Sequence, residues 1–340
     1  MKTERKNSHT KCSIIIPVYN NFELTKQCVA SITRNTAQGT YELVVIDNAS
    51  TDKTAEYLAA FNMENVKIIT NKVNHGFARA CNQGAKEASA KYLLFLNNDT
   101  EVQEHWVEPL IKILDNDPVV AAAGSKLLYP DKTIQHAGVI IIDNKVDRDP
   151  LLARHIYINE ESTLPEANIA KNYQALTAAC LLVKKSRFEA VGGFDEGYWN
   201  GYEDVDLCFK LGKMGWKIVY QPESVVVHHE SKSGPERFAK ARQNIKRLHT
   251  KWLGKIAVDM VLEKDGTLKG NPDCRVKRYT TPVQEESRPV VSMIILAHNA
   301  LEYTKKCVAS IQTHTEISHE IIFVDNASTD GTQDYLEMLT

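Results

Sequence analysis

The 340-residue sequence lacks a glycine-rich phosphate loop of either familiar kind: no GxGxxG follows its first apolar run, and no GxxxxGK[ST] occurs anywhere. The dinucleotide and P-loop ways of holding phosphate depend on those glycine turns and are excluded. No stretch approaches the roughly 18 apolar residues that a membrane-crossing helix needs. The N-terminus, MKTERKNSHTKC, is charged but has no apolar core, so it does not read as a secretory signal. The seven cysteines (12, 28, 81, 180, 208, 274 and 307) are odd in number and include no CxxC pair. That argues for reduced thiols in a cytoplasmic protein, against a disulfide framework or zinc site. A formal charge of −2 argues against nucleic-acid binding through a global basic field. With 43% hydrophobic and 25% charged residues, the composition is that of an ordinary globular protein, long enough for roughly two domains.

What is present is an alternation of apolar runs and helical patterns. CSIIIPV, YELVVI, VKIIT and YLLFL (residues 12–18, 41–46, 66–70 and 92–96) read as strands, the last a continuous apolar run of strand length. Between them, FELTKQCVASITRN, TAEYLAAF and NHGFARACNQGAKEAS carry apolar or small residues at helical spacing. Four β–α alternations in the first hundred residues predict a mostly parallel sheet with helices on its faces. Further along, VVAAAGSKLLYP and IQHAGVIII continue the sheet, residues 143–173 read as a polar loop near the acceptor side, and YQALTAACLLVKK reads as another strand.

Polar residues gather at the carboxyl end of each early strand: Tyr19 and Asn20, then Asp47 to Asp52, then Asn97, Asn98 and Asp99. In open α/β sheets ligands bind beyond that edge, so a nucleotide would be cradled there. With no glycine loop to neutralise phosphate, a divalent cation on Asp99 is the natural substitute, since hard cations take carboxylate and phosphate oxygens. An Asx-rich turn closing a strand accounts for the same residues. In YWNGYEDVDLCFKL, Glu203, Asp204 and Asp206 open a helix; they read equally as an N-terminal cap or as a general base beside the aromatic wall of Trp199 and Tyr202. The run VVV delivers His228 and His229 to a strand end, either as cation ligands or as ordinary surface histidines. Residues 235–253 read as a helix carrying Arg237, Lys240, Arg242, Lys246, Arg247 and Lys251, a solvated face that also suits an anionic membrane surface or a diphosphate.

The opening recurs near the end. CVASITRNT from Cys28 returns as CVASIQTHT from Cys307, and DNASTDKT from Asp47 returns as DNASTDGT from Asp325, with one residue lost between them. VSMIILAHN stands for the first strand. No counterpart of Asn97 to Asp99 follows, and two βα units cannot bury a sheet alone. The expected organisation is therefore a domain over 1–263, a Lys-, Pro-, Glu- and Arg-rich linker over 264–289, and the opening of a like domain over 290–340. The chain then reads as a piece of a longer tandem protein; the alternative is that the tail docks on the first domain.

Taken in order, SIIIPVYN, VVIDNAST, NHGFARACNQG, FLNND, TAACLLVKKSRFEAVGGFDE, GYEDVDLCFKLGKMGWKIVY and VVVHHES resemble the family 2 glycosyltransferases, over residues 12 to about 253 and again over 291–340. The resemblance is nearest to a rhamnosyltransferase-like branch acting in bacterial surface polysaccharide synthesis. It implies a GT-A, Rossmann-like α/β fold and inverting transfer from a nucleotide-diphosphate sugar to a glycan or lipid-linked acceptor, with Mn2+ or Mg2+ as cofactor. It also implies a cytoplasmic location, peripheral at the inner face of the membrane where the acceptor is lipid-linked. On this resemblance Pro17, Tyr19, Asn20, Asp47, Asn48, Arg79, Asn97 and Asn98 would bind the donor. Asp99, His228 and His229 would face the metal or diphosphate. Asp204 would be the general base, supported by Glu203, with Trp199 and Tyr202 on the acceptor side. Asn97 departs from the family, where a second Asp is common, leaving one carboxylate for the metal. Two rival readings remain: a nucleotidyltransferase, whose basic glycine-rich loop IPVYNNFEL lacks, and a non-catalytic sugar-nucleotide-binding or scaffolding domain.

Overall fold

The computed structural model describes residues 11–61, 65–229, 240–270, 291–315, 319–337 and 339. The chain divides into two units, Met1–Tyr279 and Thr280–Thr340.

The first unit opens β1 (Cys12–Val18), α1 (Phe22–Asn35), β2 (Tyr41–Asp47), α2 (Thr54–Ala59), β3 (Val66–Thr70), α3 (Phe77–Glu87) and β4 (Tyr92–Leu96). Strands β3, β2, β1 and β4 lie side by side and parallel. In β1, β2 and β4 the largely apolar sequence goes with burial on both faces, as parallel strands flanked by helices require, whereas the edge strand β3 has no buried residue. On one face Ile15, Val44 and Ile46 meet Ala78, Cys81 and Ala85 of α3. On the other, Ile14, Ile16 and Val45 meet Cys28, Val29 and Ile32 of α1. Gly84 lets α3 sit this close: a Cβ there would stand 2.5 Å from the Ile15 side chain and 2.8 Å from Ile46.

Beyond β4 come β5 (Thr100–Val102), α4 (Glu108–Asn116), β6 (Val120–Leu128), β7 (Ile134–His136), β8 (Val139–Asn144), β9 (Asp149–His155), β10 (Lys171–Tyr173), β11 (Cys180–Lys184), α5 (Lys185–Ala190), α6 (Glu203–Lys213), β12 (Lys217–His228), α7 (Ala241–Trp252), β13 (Met260–Leu262) and β14 (Leu268–Gly270). The ten-stranded sheet runs β10-β12-β6-β11-β4-β1-β2-β3, with β5 on β12 and β7 on β6. Strand β11 lies antiparallel to both β4 and β6, so this half of the α/β sheet is mixed.

Four expectations change here. Residues 143–173 are not a simple loop: they hold β9, a 3-10 turn at Pro165–Asn168 and β10. Only Leu151 of β9 is buried, so the alternation that marks a strand is weak in the sequence. IQHAGVIII divides after β7 at Gly138, whose φ of 128° and contact with the Tyr173 ring admit no side chain. Its second part, β8, joins a separate sheet of order β14-β13-β8-β9. The expected linker from 264 opens with a turn and then β14, whose Leu268 pairs with Leu262, while 271–290 lies outside the described residues. The expected basic helix starts at Ala241; Arg237, with the rest of 230–239, lies outside the described residues.

The second unit holds β15 (Val291–Ala297), α8 (Leu301–His314), β16 (His319–Asp325) and α9 (Thr332–Glu337), with β15 and β16 parallel.

Candidate active site

A cavity of about 370 Å3 opens at the carboxyl edge of the parallel strands. Pro17, Tyr19 and Asn48 line it from the ends of β1 and β2, Asn97, Asn98 and Asp99 from the end of β4, and His228 from the end of β12. Trp199, Tyr202, Glu203 and Asp204 line it from the entry to α6. Eleven of the fifteen residues singled out in the sequence thus meet in one space. The other four do not line it. Asn20 and Asp47 hold the turns behind the wall, where the Asn20 side chain accepts from the Thr51 amide at 2.7 Å and that of Asp47 from the Ser50 amide at 2.9 Å. Arg79 is exposed on α3. His229 is paired with Glu101 at 2.8 Å instead. Successive side chains at a strand end point to opposite faces, so only one of two adjacent histidines can enter the cavity.

The strand-end side of the cavity is built around His228. Its Nε2 lies 3.1 Å from Asp99 Oδ1 and 3.3 Å from Asn97 Nδ2. Gln135, on β7, fixes the ring: its amide nitrogen donates to the His228 carbonyl at 3.1 Å, so its amide oxygen is what faces Nδ1 at 2.6 Å. Nδ1 therefore carries a hydrogen and donates, and Nε2 is turned toward the Asp99 carboxylate. Asp99 Oδ1 and His228 Nε2 stand 3.1 Å apart on the cavity wall, two atoms of the kinds that ligate divalent cations. Among the described residues no three His, Cys, Asp or Glu side chains converge as a complete ligand set. Asp99 and His228 thus fit part of a cation site, of the kind in which Mg2+-type ions complete their shell with phosphate oxygens and water. Asn98 is turned away from this pair and donates to Thr25 Oγ1 at 2.9 Å, tying the β4 end to α1.

The other end is built around three acids with three different fates. Asp206 is fully buried, accepting from Trp252 Nε1 at 2.7 Å and paired with Lys251 at 2.5 Å, so it joins α6 to α7. Glu203 is 6% exposed and accepts from the Gly201 amide at 2.6 Å, bracing the turn. Asp204 stays half-buried on the cavity wall, with Oδ2 accepting from the Ala178 amide at 3.1 Å and Oδ1 from Val205 at 2.8 Å. The sequence left cap and base open; in space both Glu203 and Asp204 line the cavity, with Glu203 bracing the turn and Asp204 the less buried of the two.

The turn before α6 is strained, because Asn200 (φ 48°) and Tyr202 (φ 71°) are left-handed without being glycine. It is held from several sides. Asn200 accepts from the Phe77 amide at 2.9 Å, and Asn244 on α7 bonds both the amide and the carbonyl of Trp199, at 3.1 and 2.8 Å. The Lys240 ammonium lies 4.6 Å from the centre of the Trp199 ring. Burial, with Asp149 and Asp204 nearby, pushes the Tyr202 phenol up and keeps it a neutral donor. Sequence reasoning missed Gln135, Asn200, Asn244 and the Ala178 amide. Their partners are set by tertiary packing, and only the polar pair Gln135–His136 inside an apolar run hinted at one of them.

Comparison with known proteins gives this arrangement its context. Residues 13–174 and 292–340 match the family described as Glycosyl transferase family 2. The O-antigen biosynthesis protein RfbC of Myxococcus xanthus is 31% identical over 235 residues, covering 66% of this chain and 18% of that protein. The N-acetylglucosaminyl-diphospho-decaprenol L-rhamnosyltransferase of Mycobacterium tuberculosis is 28% identical over 211 residues, covering 56% of this chain and 67% of that protein. Among solved structures, the mannosyltransferase PcManGT of Pyrobaculum calidifontis, in complex with GDP-Man and Mn2+, aligns with a TM-score of 0.54 at 18% identity, over 74% of this chain and 66% of that one. This chain spans under a fifth of the length of the O-antigen protein, and the solved structure supports the GT-A-like fold. By its matched segments, the chain belongs to the glycosyl transferase family 2.

Proposed function

We propose that the first unit is an inverting glycosyltransferase moving a sugar from a nucleotide-diphosphate donor to a hydroxyl of a glycan or lipid-linked acceptor. The observation that carries this reading is the placement of two separate acidic centres on one cavity: Asp99 with His228 at the strand ends, and Asp204 at the helix start. The donor diphosphate lies against Asn97, Asp99 and His228, with Tyr19 and Asn48 toward the nucleoside. Asp99 and His228 are the residues that would hold Mn2+ or Mg2+, which when bound supplies charge neutralisation at the leaving diphosphate. The acceptor enters beside Trp199 and Tyr202. Asp204 takes the proton of the acceptor hydroxyl as its oxygen bonds the anomeric carbon. The bond from that carbon to the diphosphate oxygen breaks, and its electron pair leaves with the nucleotide. One base on the acceptor side and no protein nucleophile give inversion in a single displacement. The Ala178 amide and the helix start hold Asp204 in line.

The named relatives favour a hexose or deoxyhexose donor and an acceptor in bacterial surface polysaccharide synthesis. Residues 290–340 are read as the opening elements of a second domain of the same family, supported by the family match over 292–340 and by the repeated turns. A thermal-shift screen of nucleotide-diphosphate sugars, each with Mn2+ and with EDTA, tests the donor site, because ligand binding to the native state raises the melting temperature. A shift with one nucleotide family that disappears in EDTA is expected. A folded protein that responds to no donor in the presence of metal overturns the reading in favour of a scaffolding domain.

A further inference from the structure

Helices α6 and α7 each begin at the cavity, with Asp204 and with Ala241 and Asn244, and each ends at a second cavity of about 400 Å3. Lys213 and Trp216 form one side of that second space; Trp252, Lys255 and Ile256 form the other. Beside its two walls stand exposed apolar side chains, Met214 at 56% and Leu253 at 52% of full exposure. The sequence of α7, ARQNIKRLHTKW, contains no acidic residue. Its buried stripe is Asn244, Leu248 and Trp252, so the opposite face carries Arg242, Gln243, Lys246 and Thr250 and runs on to Leu253. Arg247 and Lys251 are already committed to Asp195. Arg242, Lys246 and Lys213 make no side-chain hydrogen bond or ion pair among the described residues, and Lys255 donates only to the Lys251 carbonyl. Opposite the α7 end, the Arg187 guanidinium lies 4.3 Å from the centre of the half-buried Trp216 ring.

We infer that this face, the outer side of α7 with Lys213, Met214, Leu253 and Lys255, is a docking surface for an anionic lipid bilayer. Uncommitted cations with no intervening acid complement anionic headgroups. Met214 and Leu253 are placed to enter the headgroup boundary, and Trp216 has the aromatic body and polar edge that favour that boundary. Scattered exposed apolar residues need no explanation by themselves, but here two of them flank one basic, aromatic-lined cavity. Because α7 runs from the first cavity to this face, docking sets the first cavity beside the membrane, within reach of an acceptor carried on a lipid. The inference deepens the lipid-linked acceptor of the proposed function, but its test uses no transfer reaction, so the two can fail separately.

The experiment is co-sedimentation of the full chain with phosphatidylcholine vesicles, with and without phosphatidylglycerol. Binding to the anionic vesicles alone, weakened by salt, is expected. At about 1 kcal/mol for each cation near such a surface, Arg242→Gln with Lys246→Gln should lower partitioning ~20–30-fold. Met214→Ser with Leu253→Ser should remove the part that salt does not reverse. All four side chains are exposed, so the variants should keep the wild-type circular dichroism and melting temperature. Failure to bind anionic vesicles, or equal binding by the charge variant, overturns the inference. Capture by heparin without capture by vesicles would assign the face to an acidic macromolecule instead, and would likewise overturn it.

Discussion

The segments from β1 to α2 and from β15 to α9 share nearly every local bond and differ in what covers them. In the first, Asn20 and Asn21 are left-handed (φ 57° and 61°), as are Asn299 and Ala300 in the second (57° and 65°). The Asn20 amide donates to Ser50 Oγ at 2.8 Å, and that of Asn299 to Ser328 Oγ at 2.7 Å. Asp52 accepts from the Phe22 amide at 3.0 Å; Asp330 accepts from the Leu301 amide at 2.8 Å. Yet Ile15 and Val44 are fully buried, whereas Ile294 and Ile322, at the matching places, are 68% and 43% exposed. The first pair of strands has β3 and β4 on its edges and α3 on its face; among the described residues, the second has no further strand. Local sequence is enough to shape the turns. What the first segment has beyond them is the rest of the cavity wall: the ends of β4 and β12 and the start of α6.

The largest test of that difference is Asp204→Asn. If transfer belongs to the first segment and its surroundings alone, this change should lower turnover by about 10²- to 10⁴-fold, the usual worth of a positioned base. Donor binding, followed by the metal-dependent thermal shift, should persist. Substantial residual turnover would remove Asp204 as base, or would place activity in the second unit.

Next comes packing. Ile15→Ala should cost about 2–5 kcal/mol, as large-to-small changes in a filled core do, since Gly84 brings α3 directly onto that side chain. Ile294→Ala, on a matching strand but exposed, should stay within about 0.5 kcal/mol. Chemical denaturation of the two variants beside wild type measures both. An equal loss would mean that residues 291–337 bury that face in solution and that the contrast between the segments is not real.

Much of this was legible in the sequence, and the reasons are physical. Strands buried on both faces announce themselves as largely apolar runs, which is why β1, β2 and β4 and the turns after them could be placed; β3, an edge strand with no buried residue, followed from the β–α alternation. Asp99 and Asp204 stood out because each is an acid set directly after a structural boundary. Strand β9 did not, because only Leu151 among its seven residues is buried. His228 and His229 could not be told apart, because a pair of adjacent histidines carries no record of which one faces the cavity. Gln135 was invisible as a partner because 93 residues separate it from His228, and only the antiparallel pairing of β7 with β6, alongside β12, joins them.

Gln135→Leu sharpens the comparison at that point, since the second segment has nothing equivalent among its described residues. The change removes the acceptor that fixes Nδ1–H and frees the ring to turn or to take the other tautomer. Partners of this kind typically matter by 10–100-fold in metal affinity. Titration of the donor-dependent thermal shift with Mn2+ should therefore need about that much more metal. The Gln135→Glu variant, which keeps an acceptor facing Nδ1, should recover part of the loss; no change in either variant would exclude His228 as a ligand.

The smallest effect is the most discriminating. Asn20 and Asn299 each hold a left-handed turn, and each accepts from a backbone amide across it, Thr51 at 2.7 Å and Thr329 at 2.8 Å. Replacing either by Ala forfeits that bond and places a less tolerant residue at positive φ, for a cost of about 1–2 kcal/mol. If the turn is scaffold in both segments, the two variants should lose similar stability in denaturant, and the Asn20 variant should keep its donor affinity once folded. Asn20 was expected from the sequence to bind the donor, but its side chain faces the turn. A rise in donor KM for Asn20→Ala, out of proportion to its stability loss, would return that residue to the site and end the equivalence of the two turns.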